Sequence, residues 1–134
     1  MAALTPNADA RPLRLALRAD GLACACAGLV LLFGAPVLPG LLGLPLALVL
    51  SAGAFLVPFA AVLWLLAARP APGSRETVPV VVLNALWIAG SAAVVLVAAP
   101  TAFGAAFVLA QALAVAGITV VEERALRTVA REAV

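Results

Sequence analysis

Few side chains in this chain are able to carry out chemistry. It contains no histidine and no tyrosine, and its eight basic residues are all arginine. It therefore lacks the residues that most often serve as general base, Schiff-base amine or metal ligand. The candidates that remain are Asp20, Glu122, Glu123 and two cysteines, and they form no acid–base pair and no nucleophile with its base. We therefore expect no catalytic residue, no metal and no dedicated cofactor.

The two cysteines, Cys24 and Cys26, are separated by a single residue. On a helix this spacing is a rotation of about 200°, so the thiols point to opposite sides and cannot pair with each other. Without histidine, a zinc or copper site is also disfavoured. The pattern predicts cysteines that only pack.

Five polar residues lie within or beside long apolar stretches: Asp20, Asn84, Trp87, Ser91 and Gln111. The spacing from Asn84 to Ser91 places three of them on one helical face, and we expect Asn84 to contact Asp20. Gln111 should face the bundle or a partner chain. Two interpretations stay open for these residues, hydrogen bonds between helices and a ligand site. Two interpretations also stay open for Asp20: a position at the membrane interface near Arg18, and a proton or cation site.

The elements that must position these residues come from two charge-free runs, 21–68 and 77–121. Each run is long enough to cross a bilayer twice, since one membrane helix needs about 20 residues. The chain is 66% hydrophobic and 10% charged, whereas a soluble domain is about 25% charged. The sequence predicts an all-α fold, a four-transmembrane-helix bundle made of two hairpins, as a single membrane domain over 1–134.

Proline, glycine and charge set the predicted bounds of the spans. TM1 is predicted at about 21–37, TM2 at about 46–67, TM3 at about 78–98 and TM4 at about 102–121. A short amphipathic segment precedes TM1, and a short charged tail follows TM4. Pro58 falls within TM2, where we expect a kink or opened backbone bonds.

The arginines predict the orientation, because cytoplasmic loops of membrane proteins are enriched in basic residues. The loops around Pro39 and Pro100 have none. Both termini and the central connector should therefore be cytoplasmic (N-in/C-in). The all-arginine, alanine-rich composition is associated with GC-rich bacterial genomes, so the expected location is a bacterial inner membrane. The expected interface anchors are Arg11, Arg14, Arg18, Trp64, Arg69, Arg75, Arg124, Arg127 and Arg131.

Several short motifs stand in order along the chain. They are Arg18-Ala19-Asp20, Leu42-Gly43-Leu44-Pro45, Gly53 with Pro58-Phe59-Ala60, Asn84-Ala85-Leu86-Trp87 with Ser91, Pro100-Thr101-Ala102 and Ala110-Gln111-Ala112-Leu113-Ala114. Together they resemble a widespread group of small four-helix bacterial integral membrane proteins of unknown function. The architecture is also loosely similar to DoxX-like four-helix proteins. The resemblance implies a fold and a topology and no catalytic residues.

The expected role is therefore non-catalytic. One hypothesis is an accessory or interaction subunit of a larger bacterial membrane complex, of respiratory or photosynthetic type, or a homo-oligomeric bundle. The alternative is a small transporter, or a protein that binds a quinone, a lipid or a carotenoid pigment between its helices. The expected partners are membrane lipids and other membrane subunits or further copies of the chain, with no nucleic acid.

Overall fold

The computed structural model describes residues 10–70, 72 and 74–133, and every regular element in this part of the chain is a helix. The helices are α1 (Arg11–Phe33), α2 (Leu38–Leu42), α3 (Leu46–Ala67), α4 (Ser74–Val97) and α5 (Ala102–Ala133). All except α2 are long and apolar enough to cross a membrane. The predicted all-α class with four apolar helices is confirmed, and the chain is a multi-pass membrane protein.

Helix α1 joins the predicted amphipathic segment and the first span into one element. Pro12 lies in its first turn, where its missing N–H costs nothing. The helix ends at Phe33, and the N–H of Gly34 donates to the carbonyl of Val30 at 2.8 Å. Residues 34–37 form a turn, so the helix stops short of the predicted end at 37. Pro36 explains this, because the residue before a proline is pushed away from helical geometry.

The proline- and glycine-rich stretch after α1 is not entirely a loop, since it contains the short helix α2. Gly43 ends α2 with φ 68°, a left-handed conformation that glycine adopts without a steric penalty. Its N–H donates to the carbonyl of Pro39 at 2.9 Å. Pro45 follows in an extended conformation and starts α3.

The remaining helices differ from the predicted spans mainly at their ends. Helix α3 runs from Leu46 to Ala67 and continues through the exposed Pro58. Helix α5 continues through the predicted charged tail, where Arg127 pairs with Glu123 one turn earlier. Its 32 residues extend over about 48 Å, more than the roughly 30 Å of a hydrocarbon core. The charged residues therefore lie on a continuation of the membrane helix.

Helices α1 and α3 pack closely because glycines remove side chains from their contact. A Cβ atom on Gly28 would come within 2.9 Å of Val57 Cγ2, and one on Gly53 within 3.0 Å of the Gly28 carbonyl oxygen. Small residues let membrane helices approach in this way. Helix α5 contacts both α4 and α1, whereas α3 and α4 make few contacts. The bundle is therefore dense on the α1–α3 side and loose between α3 and α4.

The two ends of the bundle are held differently. At one end, called the uncharged end, Thr101 joins α2 to α5: its N–H donates to the Leu42 carbonyl at 3.1 Å and its hydroxyl to the Leu41 carbonyl at 2.8 Å. At the other, called the basic end, the Arg14 guanidinium donates to the carbonyls of Arg69 and Pro70 at 2.9 and 2.6 Å. Arg14 thereby joins the start of α1 to the connector that follows α3.

Candidate functional site: two polar clusters beside an apolar cavity

Helix α4 carries a stripe of polar residues towards the other helices. Thr77, Asn84 and Ser91 recur every seven residues, two helical turns, and so share one face. All three are buried, and Trp87 on the same stripe is half-buried. The hydroxyl oxygen of Thr77 has no hydrogen-bond partner among the described residues. The stripe supplies one residue, Asn84, to one polar cluster and two, Trp87 and Ser91, to another.

The first cluster, called the carboxyl cluster, consists of Asp20, Cys24, Asn84 and Glu122. The side-chain nitrogen of Asn84 donates to Asp20 Oδ2 at 2.9 Å and to Glu122 Oε2 at 3.2 Å. The Cys24 thiol donates to Asp20 Oδ1 at 3.5 Å. Asp20 is 1% exposed and Glu122 is 0% exposed, so both carboxyl groups are removed from solvent. One amide thus joins acidic side chains from α1 and α5.

No basic side chain compensates these two carboxyl groups in the described part of the chain. The ion pairs found there are Arg69–Glu76, at 2.9 Å, and Arg127–Glu123. Glu122 Oε1 also lacks a hydrogen-bond partner. A buried acceptor without a donor costs about 1–3 kcal/mol, so this cluster is under-supplied with donors.

The second cluster, called the neutral cluster, consists of Trp87, Ser91 and Gln111. The indole N–H of Trp87 donates to Gln111 Oε1 at 2.8 Å. Gln111 Nε2 donates to Ser91 Oγ and to the Val108 carbonyl, each at 2.9 Å. The Ser91 hydroxyl donates to the Trp87 carbonyl at 2.8 Å. Every polar side-chain group of this cluster therefore has a partner.

A cavity of about 480 Å³ lies on the loose side of the bundle, between α3, α4 and α5. Its walls are mainly leucine and valine, together with the aromatic rings of Phe55, Trp87 and Phe107. Ser91 and Gln111 of the neutral cluster also line it. Small-molecule sites in proteins are commonly about 300–1,000 Å³ and mostly apolar with a few polar groups. The volume and the lining fall within the range of such sites.

A smaller cavity of about 90 Å³ reaches the carboxyl cluster. Asp20, Cys24 and Asn84 line it, and it shares Trp87 and Gln111 with the larger cavity. The two cavities therefore adjoin at the neutral cluster, which separates the apolar space from the buried carboxyl groups.

The structure brings the five predicted intramembrane polar residues into these two clusters. Asp20 contacts Asn84, and Gln111 contacts both Trp87 and Ser91. Asp20 is buried between helices and forms no ion pair among the described residues. Its position relative to the membrane interface stays a prediction.

The expected interface anchors behave differently from one another. Trp64 is about half exposed and its ring packs over Gly21. Arg14 donates to backbone carbonyls, and Arg69 and Arg127 form ion pairs with Glu76 and Glu123. The remaining five are exposed: Arg11, Arg18, Arg75, Arg124 and Arg131. As expected from their spacing, Cys24 is buried and Cys26 is exposed.

Sequence reasoning missed the structural role of Glu122, which it assigned to the charged tail. The signal is the interval from Gln111: eleven residues are close to three full turns, so both residues lie on one face of α5. It was hidden because Glu122 is the first charged residue after the apolar run. A helix that continues past that boundary turns Glu122 into the bundle.

Comparison with family models, with curated proteins and with solved structures found no match. The resemblance to small four-helix bacterial membrane proteins, and the looser one to DoxX-like proteins, therefore stay predictions. Function has to be inferred from the two clusters and the cavities beside them.

Proposed function

We propose that this protein is a non-catalytic, multi-pass protein of the bacterial inner membrane that binds one hydrophobic molecule between α3, α4 and α5. The observation that supports this is the cavity of about 480 Å³ on the loose side of the bundle. Helices α3 and α4 make few contacts there, so a molecule dissolved in the bilayer has a lateral path into the cavity.

The chemistry of the cavity favours a quinone over the lipid and carotenoid alternatives. The ring of Phe55 stacks on that of Trp87, with centroids 5.9 Å apart and an interplanar angle of 14°. A planar ring can join such a stack. Both hydrogens of the Gln111 amide are already donated, so a quinone carbonyl would take the place of Ser91 Oγ or of the Val108 carbonyl as an acceptor. A phospholipid headgroup would require a cation, and the described lining includes no arginine. A carotenoid hydrocarbon has no planar quinoid ring to enter the stack of Phe55 and Trp87.

The proposal includes the two-hairpin topology with both termini in the cytoplasm. Helix α1 packs mainly against α3, and α4 against α5, as two hairpins would. The exposed arginines are near the ends of the chain and the central connector, which agrees with a cytoplasmic basic end. The two uncharged loops would then face the periplasm.

The other predicted roles stay predictions. These are an accessory subunit of a respiratory or photosynthetic complex, a homo-oligomer and a small transporter. The exposed apolar side chains of the outer surface are accounted for by lipid, so they favour no protein partner.

Tryptophan fluorescence tests the proposal directly. In a Trp64→Phe background Trp87 is the remaining tryptophan, and a quinone stacked beside it should quench its emission. We expect titration with decylubiquinone in nanodiscs to saturate at one molecule per chain. Gly90→Phe should weaken this binding about tenfold or more, a loss of about 1.4 kcal/mol, because Gly90 lines the cavity and its new ring would fill it.

Gly117→Phe is the matched control. A Cβ atom meets nothing within 4 Å at either glycine, so both variants should fold, but Gly117 does not line the large cavity. Quenching that rises linearly without saturation, or that is the same in both variants, would show that the cavity does not bind the quinone. Native mass spectrometry of protein from its own membrane would then reveal whether a partner protein accompanies it.

A further inference from the structure

The carboxyl cluster has more hydrogen-bond acceptors than donors. An ionised carboxylate only accepts hydrogen bonds, and Asp20 and Glu122 together present four oxygens. Asn84 and Cys24 supply donors to three of them. The fourth, Glu122 Oε1, is buried and has no partner among the described residues. One further hydrogen is needed to satisfy the cluster.

The position of Glu122 shows where that hydrogen fits. Its Oε2 and Asp20 Oδ2 lie 3.2 and 2.9 Å from the same side-chain nitrogen of Asn84, so the two carboxyl groups are close neighbours. Two ionised carboxylates repel at such a distance, whereas a carboxylic acid beside a carboxylate forms a strong bond through the proton. The geometry therefore fits a pair that holds one proton.

We propose that Asp20 and Glu122 form a binding site for one exchangeable proton. Glu122 Oε1 carries the proton and the Asp20 carboxylate accepts its hydrogen bond. Asn84 is a positioning residue, since its amide donates to both carboxyl groups and fixes their separation. When the proton leaves, both carboxyl groups are ionised and Glu122 Oε1 no longer donates a hydrogen bond. This site is formed by the protein itself and does not depend on the quinone proposal.

Among the described side chains around the pair, none would replace the proton. Besides the pair itself, α1 contributes the Cys24 thiol, and α4 contributes the uncharged Asn84. The α3 residues at the small cavity are Phe55, Leu56 and Phe59. Arg18 and Arg124 are exposed, and neither bonds to the pair. Within the described residues no cluster of acidic, cysteine or histidine side chains fits a metal ion.

The small cavity gives the proton a route. Its volume of about 90 Å³ exceeds the roughly 30 Å³ that one water molecule occupies in the liquid, and it runs from Asp20 to Gln111. A proton released by the pair can thus reach the polar wall of the larger cavity.

Infrared difference spectroscopy of the whole protein in lipid, at neutral pH and in sodium-free buffer, tests the proposal. We expect the C=O band of a protonated carboxylic acid, shifted to lower frequency in D₂O. Glu122→Gln, which is nearly isosteric and provides its own N–H donor, should abolish the band. Asp20→Asn should shift or abolish it, because the proton loses its acceptor.

Glu123→Gln is the control, since Glu123 lies next in sequence but pairs with Arg127 outside the cluster, and the band should persist unchanged. A wild-type protein without the band would overturn the proposal, as would a band that survives unshifted in both cluster variants. Loss of the band on adding sodium would show that the site takes a metal cation instead. Circular dichroism on every sample confirms that the variants are helical.

Discussion

The carboxyl cluster and the neutral cluster both include residues of α4 and α5, and α1 adds Asp20 and Cys24 to the carboxyl cluster. They nevertheless balance their hydrogen bonds differently. In the neutral cluster the groups of Trp87, Ser91 and Gln111 all have partners. In the carboxyl cluster the Asn84 amide serves two acids, and one oxygen of Glu122 is left over.

This difference indicates that the neutral cluster holds the helices together, whereas the carboxyl cluster can gain or lose a proton. A satisfied neutral network has one arrangement and no proton to exchange, so it can form a fixed wall for a ligand. A pair of buried acids with too few donors is stable only when a proton is supplied. The neutral cluster is therefore structural, and the carboxyl cluster is able to respond to its surroundings.

Removing the shared donor should have the largest effect. Asn84→Leu leaves acceptors on both Asp20 and Glu122 without the amide, and each such acceptor costs about 1–3 kcal/mol. We expect the free energy of unfolding to fall by about 2–4 kcal/mol, measured by denaturant unfolding in mild detergent. A loss near 0.6 kcal/mol is the average for one interhelical hydrogen bond in a membrane protein. Such a small loss would contradict the conclusion that the carboxyl cluster is short of donors.

Breaking the neutral cluster should cost less. Gln111→Leu leaves the Trp87 indole N–H and the Ser91 hydroxyl oxygen without Gln111, but no acid is involved. A fall of about 1–2 kcal/mol in the unfolding free energy is expected. Leu113→Ala on the exposed side of α5 serves as the control and should change little in detergent. An effect of Gln111→Leu as large as that of Asn84→Leu would remove the distinction between the clusters.

Replacing an acid by an amide should act in the opposite direction. Glu122→Gln adds a donor to a carboxyl cluster that is short of one, so stability at neutral pH should be retained or increased by up to about 1 kcal/mol. The same unfolding assay measures it. A clear destabilisation would mean that the ionised acid, and not the missing donor, is what the site requires.

Ser91→Ala should have the smallest effect. It removes one acceptor from Gln111 Nε2, which keeps its bond to the Val108 carbonyl. We expect a loss of about 0.5 kcal/mol in the unfolding free energy. A loss above about 2 kcal/mol would show that the neutral cluster is as sensitive to a missing partner as the acids are.

Much of this architecture could be predicted from local pattern. Long charge-free runs predict membrane helices because each helix must satisfy its own backbone in lipid. The seven-residue spacing of Asn84 and Ser91 predicts one polar face, and Asp20 was expected to meet Asn84. Such inferences need only the helical period and the cost of an unpaired polar group.

What could not be predicted depends on which helix meets which. Every outer face is apolar, so the pattern does not indicate that α1 packs tightly on α3 while α3 and α4 stay apart and leave a cavity. Glu122 was assigned to a tail because charge ended the predicted span, whereas the helix continues. The end of α1 at Phe33 depends on local backbone restriction by Pro36, which acts within a run that is apolar throughout.

The close glycine packing of α1 on α3 has a consequence for biogenesis. Gly28 and Gly53 belong to the first half of the chain, so that half can dock while the ribosome is still synthesising the second. Asp20 is then in the membrane before either of its later neighbours exists. Asn84 arrives with α4 and Glu122 with α5, so a helix translated after the other three long helices completes the site that Asp20 began.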